Sequence, residues 1–468
     1  MSYRIRQIEP GDQFCEQVTV DVITQVIPVE TMREVVESCG AGEQRVRKLP
    51  ALFTLLLCIV MNLLTEVGLG YVIVRMVQGT RLLAGVEVSE LAQKGSISKA
   101  RYRLGAKPLQ QLFRRVTRPI ATPETPGAFA FGLRLVAIDG TLEDVADNPA
   151  NAAWFGRPTT AHGDGPFPQV RCVYLCECGT HVIFDATFWP YHTGEFTGSY
   201  RLLRSVGADM LVMWDRGLFS YDMVAQTRAR GAHVLCRLKN ILRPRCVKRL
   251  KDGTYLAYIR PSNPHLRRAG KKLLVRVIEY TIEDPNRPGH RQHHLLLTTL
   301  LAPDLYPALD LVCLYHERWE VEITIDEIDT HQRLLPRPLR SLKPAGVIQE
   351  LYGLLLAHFV VRFIMHEAAL THQLDPDRLS FVNSVRLICD AILEFQLIHP
   401  QDHPRRWSQL LREIAHFRLP PREDRINPRV VKRRCSKFRR KRPEDFNPPR
   451  SSVPFRTATT IIENVSCP

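Results

Sequence analysis

The sequence has little of what would place it in a membrane, in a disulfide framework or among nucleotide-driven enzymes. Its longest apolar run, residues 51–64, holds 14 residues and includes Thr54 and Asn62. A bilayer span needs about 20 apolar residues, so this run predicts a buried helix, and no membrane partner is expected. The first residues, MSYRIRQIEPGDQ, lack the apolar centre of an export signal. The 12 cysteines are scattered without a Cys-x-x-Cys pair, as in reduced thiols of a cytoplasmic protein. Cys172, Cys176 and Cys178, with His181 after them, read as small buried strand residues in preference to a zinc site. No Gly-Lys-Ser/Thr phosphate loop is present, and Gly68-Leu-Gly70 lacks the third glycine of a dinucleotide turn. Internal repeats are absent.

Positive charge is abundant. Among 468 residues, 64 Lys and Arg oppose 48 Asp and Glu, a formal charge of +16. The excess is local. Residues 237–276 carry 13 basic residues and one acid, Asp252, and residues 421–468 carry 13 against five. Two basic regions on a near-neutral body point to a polyanion, a nucleic acid in preference to an acidic membrane surface. With 45% hydrophobic residues the chain is long enough for two to four domains.

Helical spacing dominates residues 20–118. Within it, Ser96 to Gly105 reads as a basic helix with serine near its start, on which Lys99 and Arg103 share a face and Arg101 lies off it. That face is either a DNA contact or a solvated surface. A proline-rich linker at 119–127 ends this part. Leu133–Asp139 and Met210–Asp215 are short apolar runs ending on an acid, which read as buried strands. Between them, residues 169–188 read as a hairpin about Gly179-Thr180, and 196–206 as a helix. Strand, hairpin, helix, strand is the order of a mixed sheet. The predicted fold is α/β. A ribonuclease-H-like catalytic core is split into 129–216 and 307–400 by a β-rich basic insertion at 217–306. A helical DNA-binding region at 1–128 precedes it, and a basic region at 401–468 follows.

Three acids carry candidate chemistry. Asp139 and Asp215 each close a predicted strand, and Glu322 lies on a predicted helix with Tyr315 and Arg318, spaced three and four apart on one face. Taken singly, each has an ordinary explanation: a strand-ending turn residue, or a helix-surface ion pair. Together they form a pattern. Asp139-Gly-Thr141 with Asp147 to Arg157, then Trp214-Asp215-Arg-Gly217, then the Tyr-x2-Arg-x3-Glu spacing of Tyr315, Arg318 and Glu322, occur in order. The chain thereby resembles the insertion-sequence-four type of DDE transposase, and Asn427 to Arg434 is similar to that family as well.

The resemblance implies metal-dependent cleavage of DNA at element ends and strand transfer to target DNA by a homodimer acting at the nucleoid. It implies Asp139, Asp215 and Glu322 as catalytic metal ligands for two Mg2+ ions, with Mn2+ able to substitute. Carboxylate oxygens suit that ion. Tyr315 and Arg318 are implied to hold a phosphate near the cleaved end, and Lys99, Arg103, Lys432, Arg433 and Arg434 are candidate DNA contacts. One position departs from the family: seven residues after Glu322 the expected Lys is Asp329. Helical spacing puts it about 10 Å along the axis, so it is expected to pair with Arg333 and to stay apart from the metals. The rival reading of that departure is a copy that grips element ends without cutting them.

Overall fold

The computed structural model describes residues 3–6, 21–42, 49–84, 94–160, 163–239, 241–242, 244–285, 290–333 and 337–420. The N-terminal part is helical, as its spacing predicts: α1 (Val29–Ser38), α2 (Ala51–Val60), α3 (Leu69–Ala84), α4 (Lys94–Leu104) and α5 (Lys107–Val116). In α2 nine of ten side chains are buried, with Pro50 as the cap that starts it. The serine expected at the start of α4 lies inside it, because the helix begins at Lys94.

The chain then builds one ten-stranded mixed sheet. In chain order its elements are β1 (Leu133–Asp144), α6 (Pro149–Phe155), β2 (Gln169–Glu177), β3 (Ile183–Pro190), α7 (Glu195–Leu202), β4 (Met210–Trp214), α8 (Tyr221–Ala229), β5 (His233–Arg237), β6 (Cys246–Arg249), β7 (Tyr255–Ile259), β8 (Leu273–Tyr280) and β9 (His294–Thr298). The order across the sheet is β3-β2-β1-β4-β5-β9-β8-β7-β6, and Phe129–Ala130 pairs with the start of β1 as the tenth strand. β1, β4 and β5 run parallel, and every other pairing is antiparallel. A helical crossover between neighbouring strands makes them parallel, and α7 and α8 are those crossovers. Two features differ from the sequence reading. β1 does not end at Asp139; only its doubly buried part ends there, and it runs on to Asp144 along β2. β5 lies in the stretch read as insertion, yet it pairs with β4, and β6 to β9 extend the same sheet.

Alternation along β1 serves both faces. Leu135 and Ala137 enter one hydrophobic cluster and Val136 and Ile138 the other, as period-two geometry requires of a strand buried on both sides. Between β2 and β3, Gly179 makes the turn at φ +79°, where a Cβ would overlap Pro126 and Gly127.

After the sheet come α9 (Ala308–His316), α10 (Trp319–Asp326), a π-helical turn at Glu327–Gln332, α11 (Pro344–Thr371), α12 (Phe381–Leu397) and α13 (His403–His416). α13 occupies part of the region read as a basic tail and packs on α11 and α12. α11 is long and apolar enough to cross a membrane, but 89% of its most apolar window is buried inside the protein. A helix apolar on all sides belongs at a centre, and α11 packs against α2, α5, α12 and α13. Arg101, at the inward side of α4, ties that helix to α11 through Gln349 Oε1 at 2.9 Å and to the segment before α11 through Ser341 Oγ at 2.9 Å.

The tightest approach in this bundle is at Gly353 of α11, where a Cβ would overlap the carbonyl oxygen of Cys58 in α2. That oxygen already accepts from Asn62 Nδ2 at 2.8 Å, so it has no freedom to turn. Gly353→Ala is expected to destabilise the fold by about 1–3 kcal/mol, the usual range for overpacking, read as a lowered melting temperature. An unchanged melting temperature would show that the two helices can part without cost.

Candidate active site

In the parallel pairing of β1 with β4, Ile138 stands opposite Trp214. The next residues, Asp139 and Asp215, therefore fall level on neighbouring strands. Here β4 stops while β1 continues, leaving a gap at the sheet's edge of the kind in which α/β proteins place their sites. Asp139 follows Leu135 and Ala137 in parity, so its side chain takes the face that α10 covers. Asp215 caps a single 3-10 turn and accepts from the backbone N–H of Arg216 at 2.6 Å.

Arg318 joins the strand to the helix. Its Nη1 donates to Asp139 Oδ2 at 3.1 Å and its Nη2 to Glu322 Oε1 at 2.8 Å. The guanidinium is nearly buried, 5.9 Å from the Tyr315 ring centre. Tyr315 donates its hydroxyl to the carbonyl of Trp214 at 3.3 Å, which fixes the end of α9 on the residue before Asp215. Asp139, Glu322, Arg318 and Tyr315 are thus brought together. Burial pushes the Asp139 carboxyl up, Arg318 and the Gly140 amide pull it down, and Glu322 and Asp215 raise it again. Burial opposes the charge of Arg318, but its tyrosine and carboxylate neighbours outweigh burial and raise its pKa.

Sequence reasoning missed a fourth acid. Glu195, the first residue of α7, puts its Oε1 where a side chain at position 140 would stand. Gly140 leaves room for it. Burial pushes Glu195 up first, and the charges of Asp139 and Asp215 add to that. Its only signal in the sequence is an acid in the first turn of a helix, which most helices have for dipole reasons alone.

Asp329 lies elsewhere than expected. It does not pair simply with Arg333. Arg333 binds Glu143 and the carbonyl of Arg337. Asp329 instead accepts from Thr141 Oγ1 at 3.4 Å and faces Glu143. The π-helical turn that carries it breaks the two-turn spacing on which the expectation rested. Burial, then Glu143, push its carboxyl to about 9. Among the basic candidates, Lys99 is exposed on α4, while Arg103 donates to the Leu49 carbonyl at 2.8 Å. Lys432, Arg433 and Arg434 lie outside the described residues. Cys172, Cys176 and Cys178 are buried and free.

Residues 130–360 match the family described as Transposase DDE domain, and residues 17–114 match Insertion element 4 transposase N-terminal. The chain is 30% identical over 355 residues to the Escherichia coli transposase InsG of insertion sequence element IS4, covering 73% of this chain and 77% of that one. InsZ of the same organism is 25% identical over 144 residues, 31% of this chain and 48% of its own. Among solved structures, the piggyBac transposase in a synaptic complex with hairpin DNA superposes with a TM-score of 0.39 at 13% identity, covering 92% of this chain and 91% of that one. The chain belongs to the IS4-type DDE transposases. It is a DNA transposase, and the end-binding copy without activity finds no support in these relatives.

The half-buried Asp329 carboxyl beside buried Glu143 makes stability depend on pH. The folded pKa of Asp329 lies above the ordinary 3.8, so its contribution is complete below about pH 4 and is lost as pH rises through about 9. Asp329→Asn keeps a neutral group in place. The variant is expected to melt at a temperature that falls less than that of the wild type between about pH 6 and 9, with DNA cleavage retained. Parallel curves for the two proteins would show that Asp329 does not carry this pH dependence.

Proposed function

We propose that Asp139, Asp215 and Glu322 are the catalytic carboxylates of this transposase and hold two Mg2+ ions, with Mn2+ able to substitute. The observation that carries this is the level placement of Asp139 and Asp215 at the gap where β4 ends, with Glu322 tied to Asp139 through Arg318. The donor set fits the ion: the three side chains offer carboxylate oxygens alone, the chemistry of a hard cation that keeps waters and takes up phosphate. When bound, such a pair of ions activates an attacking oxygen and stabilises the leaving one. Water attacks at the element end to free a 3′-OH, and that 3′-OH attacks target DNA, with no covalent link to the enzyme. Arg318 holds Asp139 and Glu322 in register, and its planar fork takes up a phosphate when it gives up one of these carboxylates. With Tyr315 it borders the cleaved end. Glu195 contributes a fourth carboxyl from the opposite side of the gap.

The same reading makes β1 to β5 with α7 and α8 a ribonuclease-H-like core. The β insertion begins after β5, the helical region lies before residue 129, and the second part of the core runs from 307. DNA follows the exposed cations of the insertion, among them Lys248, Arg249, Arg267, Arg268, Lys271 and Lys272. Within the basic stretch 237–276 the single acid, Asp252, is bound by buried Arg276. Lys99, Arg103 and the basic segment with Lys432, Arg433 and Arg434 extend this contact. Two copies act on paired ends, in the bacterial nucleoid.

Asp139→Ala, Asp215→Ala and Glu322→Ala are each expected to abolish Mg2+-dependent strand cleavage of an end-bearing duplex, while gel-shift affinity for that duplex is kept. Near-normal cleavage by any one of them removes that residue from the site. Glu195→Gln is expected to slow cleavage about 10- to 100-fold, the usual effect of a group supporting metal ligands, and to raise the Mg2+ concentration needed for half-maximal rate. If rate and Mg2+ requirement both stay at wild-type values, Glu195 is only a helix-start acid.

A further inference from the structure

Behind the catalytic helix lies a second cluster. Glu320 is two residues from Glu322, which on an α-helix is about 200° of rotation, so it faces the other way. There it meets His181, from the turn between β2 and β3, and Asp377, from the short 3-10 turn after α11. One ligand atom from each lies within 4.8 Å of the others. His181 Nε2 is 3.0 Å from Asp377 Oδ1 and 4.0 Å from a Glu320 oxygen. In a tetrahedral site with bonds of about 2.0–2.1 Å, ligand atoms stand roughly 3.3 Å apart, and these spacings bracket that value.

The imidazole is completely buried, and its Nε2 makes no hydrogen bond although Asp377 is near. Its other nitrogen, Nδ1, lies 3.1 Å from Glu327 Oε1 and also touches the Arg362 guanidinium. Arg362 can only donate and Glu327 only accept, so the two contacts at Nδ1 compete; in the tautomer that donates Nδ1–H to Glu327, the Nε2 lone pair faces Glu320 and Asp377. Glu327 is held in turn by Arg362 and by His358 at 3.4 Å. A histidine that donates one nitrogen to a held carboxylate and points the other at acceptors has the arrangement of a metal-ligating imidazole. Glu320 is fixed besides by the Gly179 backbone N–H. The three residues come from three elements far apart in the chain.

We propose that His181 Nε2, Glu320 and Asp377 bind one divalent cation of the Zn2+ class, distinct from the ions of the catalytic carboxylates, which clamps the β2–β3 turn and the α11–α12 connection to the back of α10. Imidazole with two carboxylates suits zinc. Asp377 is a quarter exposed, so a water can complete the coordination from its side. The role is structural: the ion fixes the helix that presents Glu322.

The test uses the full-length chain carrying Asp139→Ala and Asp215→Ala, which removes two of the three catalytic carboxylates and so breaks up that competing site. After chelation, titration with Zn2+ alone is expected to show one tight equivalent that raises the melting temperature, with X-ray absorption reporting a first shell of nitrogen and oxygen only. Asp377→Asn or Glu320→Gln, each added to that background and checked for folding, is expected to weaken this equivalent at least about tenfold. The two changes lie on different elements, so either folded variant decides. No tight equivalent, sulfur in the first shell, or undiminished binding in a folded variant would overturn the site and leave His181 as a hydrogen-bonded core residue. None of these outcomes bears on the catalytic carboxylates.

Discussion

Arg318 has to satisfy two carboxylates on two different elements, one on β1 and one on its own helix. Burying Asp139 and Glu322 side by side without it would set two negative charges against each other in a poorly solvated gap, a cost of several kcal/mol for close, weakly screened charges. The guanidinium can do this because its donors form a planar fork, with Nη1 and Nη2 reaching different partners. Tyr315 packs beside it and anchors to Trp214. The three-and-four spacing of Tyr315, Arg318 and Glu322 is thus more than a surface pattern. Across the turn from α9 to α10 the chain carries in succession an anchor to β4, a clamp on β1 and the third acid.

The sheet supplies the complementary constraint. Asp139 and Asp215 become neighbours because β1 and β4 are parallel and in register at Ile138 and Trp214. That register is held by apolar residues on both faces of each strand, where a slip of one residue would invert every side chain. The termination of β4 at Trp214, against the continuation of β1 to Asp144, opens the gap. Gly140 then matters for what it lacks. Its bare Cα lets Glu195 approach from the far side of the strand.

Parts of the site are written locally in the chain, and parts exist only through packing. Asp139 and Asp215 are legible because an apolar run ending in an acid is a local signal. Arg318 and Tyr315 are legible because helical spacing ties them to Glu322. Glu195 is not, because its approach depends on a glycine 55 positions earlier and on the packing of α7. Asp329 misleads for a related reason. Two-turn spacing assumes a regular α-helix, and the segment from Glu327 winds as a π-turn. Its true neighbour, Glu143, is a strand residue nearly two hundred positions away. β5 went unseen as part of the core because five residues beside a basic stretch carry little periodic signal, while pairing with β4 decides their place.

The acids around α10 and its continuation sort by face and by counterion. Glu322 looks to the gap and shares Arg318 with Asp139. Glu320 looks to the opposite side and takes an N–H from Gly179. Glu327, one turn beyond, is matched by Arg362 of α11. Asp329 faces Glu143, whose other neighbour is Arg333. Four buried or half-buried carboxylates within ten residues could not coexist on one face, because each ionised group needs its own cation, proton or ring of donors. Distributing them around the helix gives each acid a partner of its own on a different side of α10. The helix that carries Glu322 is thus held both by charged contacts on its back and flanks and by apolar packing of Val321 and Ile325.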